Sequence, residues 1–228
     1  MSYEVFIDVD ETLIDCKTLL DTFRYHLCSF HGAVKGQDKF NHVISLLADA
    51  KKTGINDRAS LNRIYYQHFA GVDVKKITHH CEHWFKVEGV SLLKSKVLDE
   101  IKRHQNNNAR IVLVSGSYRA CLEPLSRYIR ADAILCTELV SVEGVFNGEI
   151  SDYPIIGEGK AKRIQQYLEQ YRLSSRGSFA YGDHLSDVPM LELADERVIV
   201  DNHALFSALK VSWPELTHIE SSQTSRMY

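Results

Sequence analysis

The apolar run Tyr3-Glu4-Val5-Phe6-Ile7 delivers Asp8-Val9-Asp10-Glu11-Thr12 directly at its end. A short run rich in aromatic and β-branched residues reads as a strand, and near-continuous hydrophobicity as one buried on both faces. In an open parallel α/β sheet, ligands bind beyond the carboxyl ends of the strands. Residues two apart in extended chain share a face, so Asp8 and Asp10 are expected to converge on one small space. Two close carboxylates repel unless a cation or a shared proton intervenes, which implies a divalent-metal site or an acid/base couple. The same residues also fit a plain helix N-terminus, the bland alternative for any Asp or Thr before apolar residues.

A second acidic cluster repeats this placement far down the chain. Ser178-Phe179-Ala180-Tyr181 reads as a strand running into Gly182-Asp183-His184-Leu185-Ser186-Asp187, followed by a helical pattern over Val188-Ala194 in which Pro189 suits the first turn. Gly182 permits a tight turn there. Between the two clusters, Arg110-Ile111-Val112-Leu113-Val114 is a β-branched strand that ends in Ser115, Gly116 and Ser117. With a helix expected over Tyr118–Tyr128, Ser115 and the Gly116 amide would lie at a helix N-terminus, either as an anion cradle or as a plain cap. Lys160 lies near the start of an amphipathic helix running to Tyr171, where a cation opposes the helix dipole and so asks for a reason, the bland alternative being a solvated lysine in a run with Lys162 and Arg163. Lys162 is the reserve for Lys160 should that helix begin later.

These four pieces, in this order, resemble the haloacid dehalogenase superfamily and its phosphoserine-phosphatase-like branch. The pattern D-x-D-x-T stands here as Asp8, Asp10 and Thr12, the hydroxyl after a second strand as Ser115, the basic residue as Lys160, and G-D-x-x-x-D as Gly182, Asp183 and Asp187. The resemblance implies a Rossmann-like, doubly wound parallel α/β sheet with an inserted helical cap. It also implies a Mg²⁺-dependent phosphomonoesterase working through an aspartyl-phosphate. Asp8 would be the nucleophile and Asp10 the general acid/base. Asp8, Asp183 and the main-chain carbonyl of Asp10 would be the metal ligands, with Ser115, Gly116 and Lys160 on the phosphate. Thr12 would support the loop, and Asp187 would orient Lys160 or a metal-bound water. The expected substrate is a small phosphorylated metabolite. In the phosphoserine phosphatases a glutamate follows the first motif to bind the substrate's amino group, and Lys17 stands at that position here. A lysine repels an ammonium, so phosphoserine is expected to be a poor substrate.

Three other activities fit parts of the pattern. Phosphoryl transfer to an acceptor other than water uses the same groups. Dehalogenation needs neither a metal nor a second acid, so Asp10 and Asp183 count against it. A phospho-aspartate switch without turnover is disfavoured by Asp10, which would shorten the life of the signal.

From Thr18 to Phe85 the texture is helical throughout, with Leu19, Leu20, Phe23 and Leu27, then Phe40, Val43, Ile44 and Leu47, at helical spacing. Breaks at Gly32–Gly36 and Thr53–Asp57 divide it into four helices. An insertion of nearly seventy residues exceeds the dozen that a parallel crossover needs, which places a cap domain at 17–86 and the core at 1–16 and 87–228. Tyr65, Tyr66, Phe69, Trp84 and Phe85 in that segment are either core or an aromatic cage for a quaternary ammonium. Leu135–Ile150, with Gly144 and Gly148, reads as an antiparallel ribbon, and the chain from Ser221 onward as a polar, loose end.

At 228 residues and 44% hydrophobic content the chain can bury a substantial core, and a net charge of −3 with no basic tract argues against nucleic-acid binding. No apolar run approaches the roughly 20 residues of a membrane span. Cys16, Cys28, Cys81, Cys121 and Cys136 are scattered, with no C-x-x-C and no secretory leader, so reduced thiols and a cytoplasmic location are expected. His79 and His83, at i and i+4, form a weak candidate for a transition-metal pair. Oligomeric state leaves no mark in the sequence.

Overall fold

The computed structural model describes residues 2–221, so the segment beyond Ser221, expected to be loose, lies outside the described residues. The strands β1 (Glu4–Ile7), β2 (Arg110–Tyr118), β3 (Ala133–Thr137), β6 (Phe179–Gly182), β7 (Glu196–Val200) and β8 (Thr217–Ile219) form one parallel sheet in the order β3-β2-β1-β6-β7-β8. The chain moves outward from β1 through β2 to β3 and outward the other way from β6 through β7 to β8. The neighbours β1 and β6 therefore flank the point where winding direction reverses, and the loops leaving them diverge to leave a crevice.

Alternation along the strands builds two cores. Val5, Ile7, Ile111, Leu113, Val198 and Val200 face one side, whereas Phe6, Val112, Val114, Ala180 and Ile199 face the other. The second side is covered by α7 (Glu158–Tyr171), through Ile164 and Tyr167, and by the short α8 (Val188–Leu191), through Met190 and Leu191. The first side is covered by α5 (Ser95–Asn106) and α6 (Arg119–Ile129). This is the doubly wound α/β architecture expected from the strand-type runs. No helix among the described residues is long and apolar enough to cross a membrane.

Four helices lie between β1 and β2: α1 (Thr18–His31), α2 (Ala33–Lys52), α3 (Arg58–Gln67) and α4 (Val74–Val87). The predicted break at Gly32–Gly36 contracts to Gly32 alone, which carries φ of 85°. Gly36 instead lies within α2 because α1 passes so close that a Cβ there would meet the Cys28 Cα at 2.4 Å. The expected ribbon also shortens. Leu135 belongs to β3, and only β4 (Leu139–Val142) and β5 (Val145–Ile150) pair antiparallel. The helical pattern after Val188 likewise ends at Leu191 rather than Ala194.

The aromatics of the helical segment are core. Tyr65, Tyr66, Phe69, Trp84 and Phe85 are all buried, and the Phe69 ring stacks on Phe23 with centroids 4.3 Å apart. No open cage is built from them. His83 is bonded through Nδ1 to the Tyr25 hydroxyl at 2.6 Å. Among the described residues neither His79 nor His83 belongs to a group of three side chains able to share an ion.

Adding a methyl group at Gly36 is expected to force α1 and α2 apart. Gly36→Ala should cost about 1–3 kcal/mol by urea denaturation, as overpacking does. A pH effect follows from His104, a buried ring bonded to the Tyr181 hydroxyl (2.7 Å) and the Tyr3 hydroxyl (2.9 Å). Burial lowers its pKa from 6.5 to about 4. Between those values the unfolded chain binds the proton that the folded chain refuses, so stability falls as pH drops through this window. His104→Gln should flatten that slope in denaturation midpoints measured from pH 6.5 down to 4.

Candidate active site

Asp8 follows β1 and Asp183 follows β6, so hydrogen-bonded neighbours in the sheet present both acids at the crevice. The Asp8 amide donates to the Tyr181 carbonyl at 3.0 Å, extending that pairing by one residue and fixing the approach. Asp187 joins them from the turn after β6. Its Oδ2 accepts from the backbone amides of Asp183 (3.1 Å) and His184 (3.0 Å). Gly182 is required by close approach rather than by turn geometry, since a Cβ there would lie 2.6 Å from the Asp187 Cβ. The carboxylates of Asp8, Asp183 and Asp187 each offer an oxygen within 4.8 Å of the others.

Lys160, in the first turn of α7, reaches into this group. Its Nζ donates to Asp8 Oδ1 and to Asp187 Oδ1, the latter at 2.6 Å, and it is buried with both. Burial opposes its charge, but Asp187 and Asp8 outweigh that, so the ammonium is held above the ordinary lysine range. Burial drives Asp8 well above the usual carboxylate range, and Lys160 opposes the rise while Asp187, Asp183 and Asp10 add to it. Asp183 is pushed up to about 6 by burial and then by Asp187, with the Thr12 hydroxyl, which donates to its Oδ1 at 3.0 Å, pulling the other way. Thr12 thus couples the first motif to the last. Lys162, two residues on, points elsewhere, with its Nζ 4.2 Å over the Tyr153 ring.

Asp10 faces a different set of partners. Its Oδ1 accepts from the Thr18 amide (2.9 Å) and hydroxyl (2.6 Å), and its Oδ2 from the Ser117 hydroxyl (2.9 Å). Burial raises its pKa and these donors restrain the rise. The backbone turns sharply after it: Glu11 takes φ of 67°, and the buried Lys94 bonds both the Glu11 carbonyl and Asp201 (2.7 Å). The first helix begins only at Thr18, with Lys17 at its N-cap, so Thr12 does not cap it, whereas Asp10 accepts from the free amide of its first residue from eight positions away.

Ser115 and Gly116 line the same space, though not as expected. The strand β2 continues to Tyr118 and α6 starts at Arg119, so neither residue sits at a helix N-terminus. Instead the β2–β3 register shifts between Ser115 and Tyr118. The Ser117 amide donates to Ser115 Oγ at 3.1 Å, which leaves the Ser115 O–H free to donate. Gly116 is again a matter of room, because a Cβ would meet Ile156 Cγ1 at 2.7 Å. Its carbonyl accepts from the Tyr66 hydroxyl (2.8 Å) and the Asn62 amide (3.3 Å), both on α3.

The enclosed chamber measures ≈ 50 Å³, the scale of one or two waters at about 30 Å³ each. Asp8, Asp10, Ser115, Gly116, Lys160, Asp183 and Asp187 all line it. Thr12 stands behind Asp183. Lys17 does not line it, and lies 3.4 Å from the carboxylate of Glu11, which does. Sequence reasoning missed Thr18, Ser117, Asn62 and Arg58. The Arg58 Nη1 donates to Ser186 Oγ at 3.0 Å from α3 to the far rim. No local motif marks these residues, because only the folding of α1 and α3 over the sheet brings them there. Asn202, whose side chain donates to the Asp183 carbonyl at 2.8 Å, is similar.

The donor set suits Mg²⁺: it is all oxygen, carboxylate-rich and small, with no imidazole or thiolate among the clustered ligands. Replacing Lys160 by Met would leave Asp8 and Asp187 facing each other without a cation. In metal-free buffer at neutral pH, Lys160→Met should lose about 3–5 kcal/mol of stability by urea denaturation. The deficit should narrow at lower pH, where a proton can replace the ammonium between the carboxylates.

The family model for haloacid dehalogenase-like hydrolases matches residues 5–192. A probable phosphatase of Mycobacterium tuberculosis is 25% identical over 219 residues, covering 93% of this chain and 74% of that protein. A phosphoserine phosphatase of Wolinella succinogenes is 24% identical over 198 residues, covering 87% and 86%. Among solved structures, a Bordetella pertussis protein of unknown function superposes with a TM-score of 0.83 at 16% identity, covering 96% of this chain and 99% of that one. A substrate-bound phosphoserine phosphatase superposes at 0.64 and 12% identity, covering 91% and 90%. With its motifs gathered at the crevice between β1 and β6, and the family match spanning both of them, the chain belongs to the haloacid dehalogenase-like hydrolases.

Proposed function

We propose that this hydrolase is a phosphomonoesterase that acts on a small phosphorylated metabolite through an aspartyl-phosphate on Asp8, with Mg²⁺ as its cofactor. The observation that carries the reading is the convergence of Asp8, Asp183, Asp187 and the Lys160 ammonium on one enclosed chamber. A phosphate monoester is doubly negative, and an anionic nucleophile meets it only where positive charge screens the approach. Lys160, beside Asp8, supplies one such charge. Asp8 and Asp183, with the Asp10 carbonyl, would hold Mg²⁺, which when bound withdraws charge from the phosphoryl oxygens.

The division of labour between the first two acids follows from their surroundings. Asp8 lies against the Lys160 ammonium, which opposes the rise that burial imposes on its pKa and so favours the carboxylate a nucleophile requires. Asp10 has a raised pKa and a carboxyl fixed in orientation by Thr18 and Ser117, which suits a group that gives a proton to the leaving alcohol and then takes one from water. The free Ser115 hydroxyl and the Gly116 amide would hold the remaining phosphoryl oxygens. The α1–α4 segment, read as a cap domain over 17–86 on a core of 1–16 and 87–228, excludes water by closing through Asn62, Tyr66 and Arg58. Phosphoserine is a disfavoured substrate in this reading, because Lys17 neutralises Glu11, the one carboxylate at the entrance not already used by Lys160, Thr12 or Thr18.

Release of inorganic phosphate from a panel of phosphate monoesters should require Mg²⁺ and vanish with a chelator. Asp8→Asn should lower turnover by about 10³-fold or more, as loss of a covalent nucleophile does. Turnover that survives in Asp8→Asn, or that ignores the chelator, would overturn the assignment. Phosphoserine should rank low in the panel.

A further inference from the structure

Outside the chamber lies a wider cleft of ≈ 920 Å³, walled by the start of α3, by Tyr153–Gly159 and by His184–Ser186. Arg58, Ile156, His184 and Ser186 line both spaces, so the cleft opens directly onto the chamber, with the Arg58–Ser186 bond across the neck. The chamber, at ≈ 50 Å³, is on the scale of a phosphoryl group. Whatever alcohol carries that group must therefore extend into the cleft.

Three cations line the cleft: Arg58, Arg63 and Lys162. Among the described residues none of them has a carboxylate within 4.0 Å, whereas the adjacent Arg163 is paired with Asp152 at 3.3 Å. The Arg63 Nη2 rests on the Asp152 carbonyl at 3.3 Å, and the Lys162 Nζ sits 4.2 Å over the Tyr153 ring. Asp152 and Tyr153 are consecutive, so Arg63 from α3 and Lys162 from α7 are held on neighbouring residues, in the part of the cleft that does not line the chamber. Two acids, Asp57 and Glu158, share the wall, so the lining keeps one more cation than anion. Asp57 caps α3 by accepting from the Ser60 amide at 2.7 Å, and Glu158 sits in the first turn of α7, where helix dipoles already favour negative charge. An arginine bonded only to a carbonyl and a lysine bonded only to a ring keep their charge available to an incoming anion.

We propose that the substrate's leaving group carries a second anionic group, a carboxylate or a further phosphate, that docks on Arg63 and Lys162 beside Tyr153. The proposal rests on the phosphomonoesterase reading. It adds a second point of recognition remote from the reacting phosphorus, so its effect belongs in binding and selectivity.

The test compares phenyl phosphate, para-carboxyphenyl phosphate and hydroquinone bisphosphate with Mg²⁺ present, using the full chain and the variants Arg63→Gln, Lys162→Gln and Lys162→Arg. The unaltered protein should favour the two doubly substituted esters in kcat/KM, and the carboxylate and bisphosphate arms report which second anion fits. Each Gln variant should reduce that preference roughly tenfold, through KM, as loss of one charge-assisted contact does. Lys162→Arg should retain it, and added salt should weaken it. Equal effects on all three esters, or no preference in the unaltered protein, would sink the docking assignment while leaving phenyl phosphate turnover to uphold the phosphomonoesterase reading. Absence of turnover on every ester would remove both.

Discussion

The Lys160 ammonium between Asp8 and Asp187 is the interaction on which the site depends. The parallel sheet brings acids from the ends of β1 and β6 into one crevice, and without a cation that convergence would be self-repelling. A lysine in the first turn of a helix is misplaced with respect to the dipole of α7, but two buried carboxylates more than offset that placement. The same arrangement sets a cation against the rise that burial imposes on the Asp8 pKa, within a nearly closed space, which favours the ionised form the proposed nucleophile needs. Folding and the proposed chemistry therefore draw on the same three side chains.

Around this centre the supporting contacts come from distant parts of the chain. Thr12 ties the first motif to Asp183, Thr18 and Ser117 orient Asp10, and Asn202 holds the Asp183 carbonyl. Lys94 binds the carbonyl of Glu11 at its left-handed turn and continues to Asp201, linking the loops after β1 and β7. Each loop that carries an acid is thus held by a donor from another element. Such bracing is what keeps a catalytic carboxylate within the narrow geometric range that catalysis tolerates.

The sheet and the acids were legible in the sequence because their signals are local. The apolar runs at Val5–Ile7, Ile111–Val114 and Phe179–Tyr181 mark buried strands, and the acids that follow them fall in the crevice without further information. Local signals misled where tertiary packing overrode them. Ser115 was expected at a helix start, but the register shift after it lets β2 continue to Tyr118. Gly36 was read as a break, whereas close contact with α1 makes it an interior helical residue. Lys17, placed by counting along the chain, does not line the chamber itself but pairs with Glu11, which does. Arg58, Asn62 and Ser117 left no trace at all, because their roles exist only once α1 and α3 are laid over the strand ends.

The Gly116 carbonyl ties the helical segment to the reacting centre. It accepts from Tyr66 and Asn62 on one side, while its residue forms part of the wall around the phosphoryl space on the other. Lifting α3 away would strip two donors from that carbonyl and loosen the peptide it shares with the Ser117 amide, which donates to Ser115 Oγ. In the proposed reaction, departure of inorganic phosphate and opening of the entrance would then be a single mechanical event, in which the grip on the product loosens as its exit appears.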